Sequence, residues 1–338
     1  MSTLSRSKLG GIGRWLPGLI ISGIAIWLLI RTSNWQDVIE TIAVMRLEWL
    51  IPAVICFLTS MILRTQSWKI LLQNKVPFGR VFFTLNEGYL LNNVLPFRLG
   101  ELGRAFLLSQ ASELSGFFVL STIIIERTYD LAIASTLLLA TIPLVLGIES
   151  SQTIAMVVLI LVTLGLLAMF LLARYREVVN SKLEKFGLSR PIFREKILPR
   201  INSILSGFEV MTRIDQFIYS IFFMILSWFF GALILYFLAV SFGVDVQPWW
   251  IGFVLGVVSL GIALPSAPAG LGVYEVAMVG GFSLLGVPTA QALAIAVVAH
   301  LINITITGFF GMYGLFRDGE TISNIYQQLK NVRYLRSG

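Results

Sequence analysis

Leu95-Pro96-Phe97-Arg98-Leu99-Gly100-Glu101-Leu102-Gly103-Arg104 interrupts an apolar run with a proline, two glycines and three charges. Leu264-Pro265-Ser266-Ala267-Pro268-Ala269-Gly270-Leu271-Gly272-Val273-Tyr274-Glu275 does the same in the second half of the chain. Each stretch has an apolar approach, Leu-Pro, a short glycine-containing break and a glutamate that opens a new apolar helix. Proline removes a backbone N–H and breaks the helical ladder. Irregular backbone at membrane depth persists only where it is buried in protein or lines a wet cavity. Paired Gly/Pro-interrupted segments in the two halves of a membrane protein point to a binding site of transporter type. The pair therefore predicts two broken helices, within 81–107 and 249–287, related by inverted topology.

Outward from these breaks the chain is strongly apolar. Of 338 residues, 57% belong to the set AVILMFWYC and 13% are charged, against roughly half apolar and about a quarter charged in soluble domains. That composition excludes a disordered chain, a soluble enzyme and a nucleic-acid-binding domain, and points to a polytopic membrane protein. The excess of 25 Lys and Arg over 18 Asp and Glu is then read as loop charge, not as affinity for an acidic partner. One cysteine, Cys56, and one histidine, His300, leave no intrachain disulfide and no Cys or His cluster for a metal. The sequence contains no G-x-x-x-x-G-K-[ST] phosphate loop. No cofactor, metal or nucleic acid is expected, and any driving force is a gradient, not ATP.

Apolar runs over 15–30, 49–63, 117–147, 152–173, 217–242 and 291–316 are read as six full spans, each needing about 20 apolar residues. The run 49–63 is short unless it continues toward Trp68, and a further run, 249–264, leads into the second break. Arg6, Lys8 and Arg14 precede the first run and no small-residue cleavage site follows it, so it reads as a retained signal anchor. Twenty basic residues fall in the N-terminal tail, the 64–80 loop with Arg64 and Arg80, the 174–215 loop and the C-terminal tail 317–338. The intervening loops hold only Arg31 and Arg46. The positive-inside rule puts both termini and both large loops in the cytoplasm; the expected location is the plasma (inner) membrane of a bacterium or archaeon. With that parity 81–107 enters from the cytoplasmic side and turns back. The stretch 249–287 begins and ends outside, as a re-entrant hairpin or as two crossings. The expectation is one polytopic domain over 1–338, an all-α integral membrane fold. It has about six full transmembrane helices plus two re-entrant broken helices in an inverted-repeat arrangement, with a basic cytoplasmic loop at 174–215 between the halves.

Charges inside the apolar segments carry the chemistry, because a charge at the bilayer centre costs about 2.5–3.5 kcal/mol and needs a partner or a cavity. Arg98 and Arg104 flank Glu101. They read either as a clamp on a lipid phosphate, beside the dipole of the helix starting near Gly100, or as an Arg–Glu lock on the turn. Asn92 and Asn93 offer amides to backbone freed by Pro96. In the second break Gly270 and Gly272 precede Glu275, which complements a helix N-terminus. These nine residues form the candidate lipid-headgroup site. Glu126 and Asp130 stand four apart, share a helix face and require a neutralising arginine. Arg127 points to another side, toward Glu87 or Glu101. His300 and Asn303 lie one turn apart on the last span. Glu87, Glu126, Arg127, Asp130, His300 and Asn303 read either as a coupling relay or as a buried network that holds helices together. Trp49, Trp68, Trp249 and Trp250 are expected at the interface belts.

The run Asn86-Glu87-Gly88-Tyr89-Leu90-Leu91-Asn92-Asn93-Val94, continuing through Leu95 to Arg104, resembles the signature of the lysylphosphatidylglycerol synthase transmembrane region, a flippase-like family of integral membrane proteins. Glu126-Arg127-Thr128-Tyr129-Asp130 is similar to its second motif, and Pro265 to Glu275, followed by Gly286-Val287-Pro288, to its third. The resemblance runs from about the second span to the last. It implies a multi-spanning domain that moves or presents an anionic or modified lipid across the bilayer. In bifunctional members a soluble domain follows and aminoacylates phosphatidylglycerol; this chain stops at Gly338, soon after the last span, so synthase activity is not expected. The reading is a lipid flippase or transporter, not an enzyme, whose partner is a membrane lipid. The alternative is a non-transporting scaffold for a lipid-modifying enzyme or glycosyltransferase. An intramembrane enzyme using Glu101, Glu126 or His300 as acid/base ranks last, because no nucleophile stands at a recognisable spacing from His300.

Overall fold

The computed structural model describes residues 20–95, 99–146, 150–187, 192–263 and 266–330. Regular structure among these residues is helical, without a strand. In chain order the α-helices are α1 (Ile20–Thr32), α2 (Trp35–Ala43), α3 (Leu50–Leu71), α4 (Phe78–Val94), α5 (Leu99–Gln110), α6 (Gly116–Leu146) and α7 (Ser150–Arg174). They continue with α8 (Arg176–Gly187), α9 (Leu198–Phe208), α10 (Ile214–Ser241), α11 (Pro248–Gly261), α12 (Val273–Leu284), α13 (Thr289–Arg317) and α14 (Ile322–Lys330).

Four of these helices, α3, α6, α10 and α13, are long and apolar enough to cross a membrane. A fifth candidate is the α7–α8 pair, bent by 74° at its junction. Large apolar side chains stay exposed at helical spacing on α7 (Ile160, Leu164, Leu167, Leu171) and α10 (Ile218, Phe222, Ile225, Phe229). In water such faces would form a contiguous patch that soluble monomers avoid; hydrocarbon solvates them. The chain is therefore an all-α membrane protein. The run at 49–63 does continue, as α3 reaches Leu71. Residues 15–19 of the 15–30 run lie outside the described residues, and the rest fall in α1.

Helices in lipid gain little from burying leucine, so small residues and hydrogen bonds set their contacts. Between α3 and α10, Ser60 Oγ donates to the Ser227 carbonyl at 2.9 Å, Ser227 Oγ returns the bond to Ser60 O at 3.0 Å, and Ser67 Oγ donates to Ser220 O at 2.8 Å. Between α4 and α13, a Cβ on Gly311 would lie 2.6 Å from Asn86 O and 2.7 Å from Leu90 Cβ, so glycine sets the approach.

Two expectations, on Trp68 and Arg64, are corrected, and the described part of the basic 174–215 segment has structure of its own. It folds into α8, a π-helical turn at Phe193–Ile197 and α9, whose Gly207 presses on Ser121 and Phe118 of α6 while Leu205 and Phe208 are buried. Its apolar stripe was masked in sequence by its charges. Trp68 is no belt residue: it is fully buried, and its indole N–H donates to Thr122 Oγ1 at 3.1 Å. Arg64 is not a loop residue either; it lies within α3, its side chain directed at α6.

Both broken segments fold back on themselves. On the α4–α5 side, a Cβ on Gly88 would strike Arg104, one on Gly100 would strike the Gly88 carbonyl and Asn92, and one on Gly103 would strike Leu91. Partners that descend along α4 as they ascend along α5 define an antiparallel hairpin. On the α11–α12 side, Gly261 meets Ala277 and Gly281 meets Val254, with the same consequence. At about 1.5 Å per residue, α11 and α12 are about 21 and 18 Å long, short of the ~30 Å hydrocarbon thickness.

Candidate functional site

The two breaks, about 170 positions apart in the sequence, line one cavity of ≈ 200 Å³. Tyr89, Asn92, Asn93, Leu95 and Glu101 come from the first hairpin, Ser266, Ala267, Ala269, Gly270 and Tyr274 from the second, and Arg127, His300 and Asn303 from α6 and α13. A neighbouring cavity of ≈ 500 Å³ shares Tyr89, Glu101, Arg127 and Asn303 and adds Arg64, Asp130, Trp228 and Ser259. Pro96, Phe97, Arg98, Leu264 and Pro265 lie outside the described residues.

At the first break Leu95 leaves the helix with φ −97° and ψ 145°. Asn92 Oδ1 accepts the Gly100 N–H at 2.9 Å, closing the start of α5, and Asn93 Nδ2 donates to Thr307 Oγ1 of α13 at 3.2 Å. At the second, Ala269, Gly270 and Gly272 take φ of 59°, 75° and 83°. The left-handed region is strained for alanine and costless for glycine. Gly272 N–H donates to Glu275 Oε2 at 2.7 Å, and Ala267 N–H to Ser22 Oγ of α1 at 2.9 Å. A Cβ on Gly272 would lie 3.0 Å from Ser22 O, so α1 seals this break. The α5 start read as an anion site, and the α12 start, are thus already engaged by side chains of this chain.

Glu275 does more than cap. Its Oε1 lies 2.5 Å from His300 Nδ1, and His300 Nε2 is 3.1 Å from the Ala269 carbonyl. An Nε2–H on the imidazole donates to that carbonyl. The Tyr274 ring lies over the imidazole, 4.6 Å between centroids. One His–Glu pair therefore ties α12, α13 and the strained turn together on the cavity wall.

The other charges form a chain: Arg104–Glu126–Arg64–Asp130–Arg127–Glu101. Its links are Arg104 to Glu126 at 2.7 Å, Arg64 to Glu126 at 2.9 Å, Arg64 to Asp130, Arg127 to Asp130 at 3.0 Å and Arg127 to Glu101 at 2.8 Å. Trp228 Nε1 also donates to Asp130 at 3.0 Å. The chain begins in the packed interior, with Arg104 1% and Glu126 0% exposed, and ends at the cavity, with Arg127 29% and Glu101 24% exposed. Among the described residues three guanidinium groups match three carboxylates in this network.

This arrangement corrects the local reading of the first break. Arg104 does not lock onto Glu101 and does not line the cavities. It packs over the Trp68 ring, 3.9 Å from guanidinium carbon to centroid, and pairs with Glu126. Glu101 turns instead to Arg127, one of the two partners weighed for that arginine. The carboxylates at 126 and 130 find their cation in Arg64, which sequence reasoning counted as loop charge. The available signal was that the apolar pattern runs on past Arg64 to Trp68 and Leu71. Gly270, His300 and Asn303 are brought to the same cavity and Glu275 stands behind His300, whereas Glu87 is not: it lies on the α4–α13 contact, against Gly314.

The sequence family described as "Lysylphosphatidylglycerol synthase TM region" matches residues 15–311. The chain is 24% identical over 317 residues to a UPF0104 membrane protein of Methanocaldococcus jannaschii, covering 89% of this chain and 94% of that protein. A second from the same organism is 26% identical over 252 residues, covering 72% and 99%. A UPF0104 membrane protein of Methanothermobacter thermautotrophicus is 24% identical over 331 residues, covering 92% and 96%.

Proposed function

Because the chain belongs to the lysylphosphatidylglycerol synthase transmembrane-region family, we propose that it is a lipid flippase or transporter that carries a polar lipid headgroup through its central cavity. The observation that carries this reading is the meeting of two broken hairpins around one polar cavity, which in a chain otherwise faced with apolar side chains has no use in packing alone. In this reading the hairpins re-enter the bilayer from opposite sides as an inverted repeat, six spans surround them, and both termini are cytoplasmic. The headgroup occupies the cavity while its acyl chains stay in hydrocarbon, and alternating access exposes the cavity to each side in turn.

The headgroup chemistry follows from what faces the cavity. Arg127 offers N–H donors to a phosphate or other anion. Glu101, beside it, accepts from a hydroxyl or ammonium group, and Asn92, Asn93, Asn303, Tyr89 and Tyr274 bind either kind. An anionic or modified phospholipid presents both kinds of group together. A headgroup that inserts between Arg127 and Glu101 replaces their mutual ion pair, so the network is held apart by substrate and closes without it.

Reconstitution tests the proposal. Fluorescent anionic and zwitterionic phospholipids should cross the bilayer of proteoliposomes faster than that of empty liposomes. Glu101→Gln should slow them by about 10- to 100-fold, the value of one charge-assisted hydrogen bond of about 1.5–3 kcal/mol. Rates equal to empty liposomes, with or without an imposed proton gradient, would sink the transport reading.

A further inference from the structure

Away from the cavity, α4 turns a second polar face toward α13. Arg80, Thr84 and Glu87 stand at helical spacing on that face. Thr84 and Glu87 are wholly buried. Among the described residues the Thr84 hydroxyl and Arg80 Nε have no hydrogen-bond partner, and the Glu87 carboxylate meets no N–H or O–H donor but faces the Asp318 carboxylate. Across from them α13 withholds a side chain: a Cβ on Gly314 would lie 2.5 Å from Glu87 Oε1. The end of α13 brings Asp318, ion-paired to Arg80, and Arg317, which donates to Asp318 at 3.2 Å and lies over the Phe83 ring. Arg80, Asp318 and Arg317 are the charges that face Glu87. Beyond the opposite face of α4, Arg104 of α5 packs on Gly88 and is held by Glu126 of α6.

An ionised carboxylate at full burial without a donor forfeits its hydration and gains nothing in exchange. Arg80, the nearest cation on its own helix, is already matched to Asp318. A proton on one Glu87 oxygen removes the charge and supplies an O–H donor for the Thr84 oxygen or the Asp318 carboxylate. We infer that Glu87 is a proton-binding site at the α4–α13 contact, separate from the cavity, and that it couples a proton gradient to lipid movement; the coupling half of this inference rests on the transport reading above. The linkage is mechanical. Helix α4 carries Asn92 and Asn93 into the cavity, and α13 carries His300 and Asn303. When the Glu87 O–H bond breaks, the proton passes to water at the half-buried Arg80–Asp318 edge. The carboxylate left behind competes with Asp318 for Arg80, which loosens the tie between the two helices.

Infrared spectroscopy of the purified full chain at neutral pH, in vesicles of phosphatidylglycerol and phosphatidylethanolamine, tests the site without any transport. The wild type should show a protonated-carboxyl C=O band that is lost in Glu87→Gln and kept in Asp318→Asn. A band that survives in Glu87→Gln, or that is lost only in Asp318→Asn, overturns the assignment. Glutamine copies the neutral acid in shape, so Glu87→Gln should melt close to wild type; if it does not fold, Gly314→Ala, which presses on the carboxyl, should shift the band instead. An unshifted band in that variant also overturns the assignment. In the same vesicles a pH gradient should change wild-type lipid movement several-fold and leave Glu87→Gln unresponsive. A gradient response that persists in Glu87→Gln overturns the coupling. Absence of lipid movement in both proteins sinks the transport reading and leaves the infrared result to decide the proton site.

Discussion

Glu126 anchors the interior end of the charge chain and answers two arginines at full burial. Glu126→Gln leaves Arg104 an uncompensated buried charge, and breaking one side of such a pair costs about 3–5 kcal/mol. A clear fall in melting temperature in detergent is expected. The half-exposed Arg176–Glu209 pair, 36% and 37% exposed, is the contrast: Arg176→Ala should change stability by at most about 1 kcal/mol. Asp318 behaves differently again. Burial would raise its pKa, but the hydrogen bond and charge of Arg80 outweigh that and hold it below the ordinary value. A depressed carboxylate stabilises the fold above its unfolded pKa of about 3.9 and loses that contribution as pH falls through the folded value. The melting-temperature gap between wild type and Asp318→Asn should therefore be constant at neutral pH and close below about pH 4.

At the scale of elements, the hairpins depend on backbone contact that only glycine permits. A Cβ on Gly100 would strike the Gly88 carbonyl and the Asn92 amide that caps α5. Overpacking of this kind costs about 1–3 kcal/mol, and here it also pries open the cavity wall, so Gly100→Ala should lower both melting temperature and lipid movement. Gly79, in the first turn of α4, has nothing within 4 Å of its missing Cβ; Gly79→Ala should leave both unchanged. The α3–α10 pair is held by reciprocal serine bonds, whereas the α12–α13 contact is closed by the Glu275–His300 pair.

For the whole molecule, the inverted-repeat reading makes a topological prediction. In a Cys56→Ala background, Ser283→Cys, exposed near the end of α12, should react with a membrane-impermeant thiol reagent only from outside the cell. Ser323→Cys, exposed on α14, should react only from the cytoplasmic side. Labelling of both from one side would overturn the arrangement, because the two hairpins would then enter from the same face.

Composition determined the solvent: a chain this apolar, with its charges confined to loops and a few internal positions, has to bury its backbone hydrogen bonds in helices within a membrane. The Leu-Pro-Gly breaks were equally legible, because proline and glycine act through the local backbone. So was the demand of Glu126 and Asp130 for an arginine, since both stand on one helical face. Which arginine answers was decided only by tertiary structure. Arg64 is 62 residues from Glu126 along the chain, and its spacing looks the same whether it tips a loop or enters a helix. The same holds for Arg104, drawn from its sequence neighbour Glu101 to Glu126 on α6. The pairing of His300 with Glu275, and the seal that α1 places on the second break, likewise join segments whose separation no local pattern encodes. Pairing in the membrane follows proximity in the fold, since an unmatched charge there costs more than any nearer partner in sequence can restore.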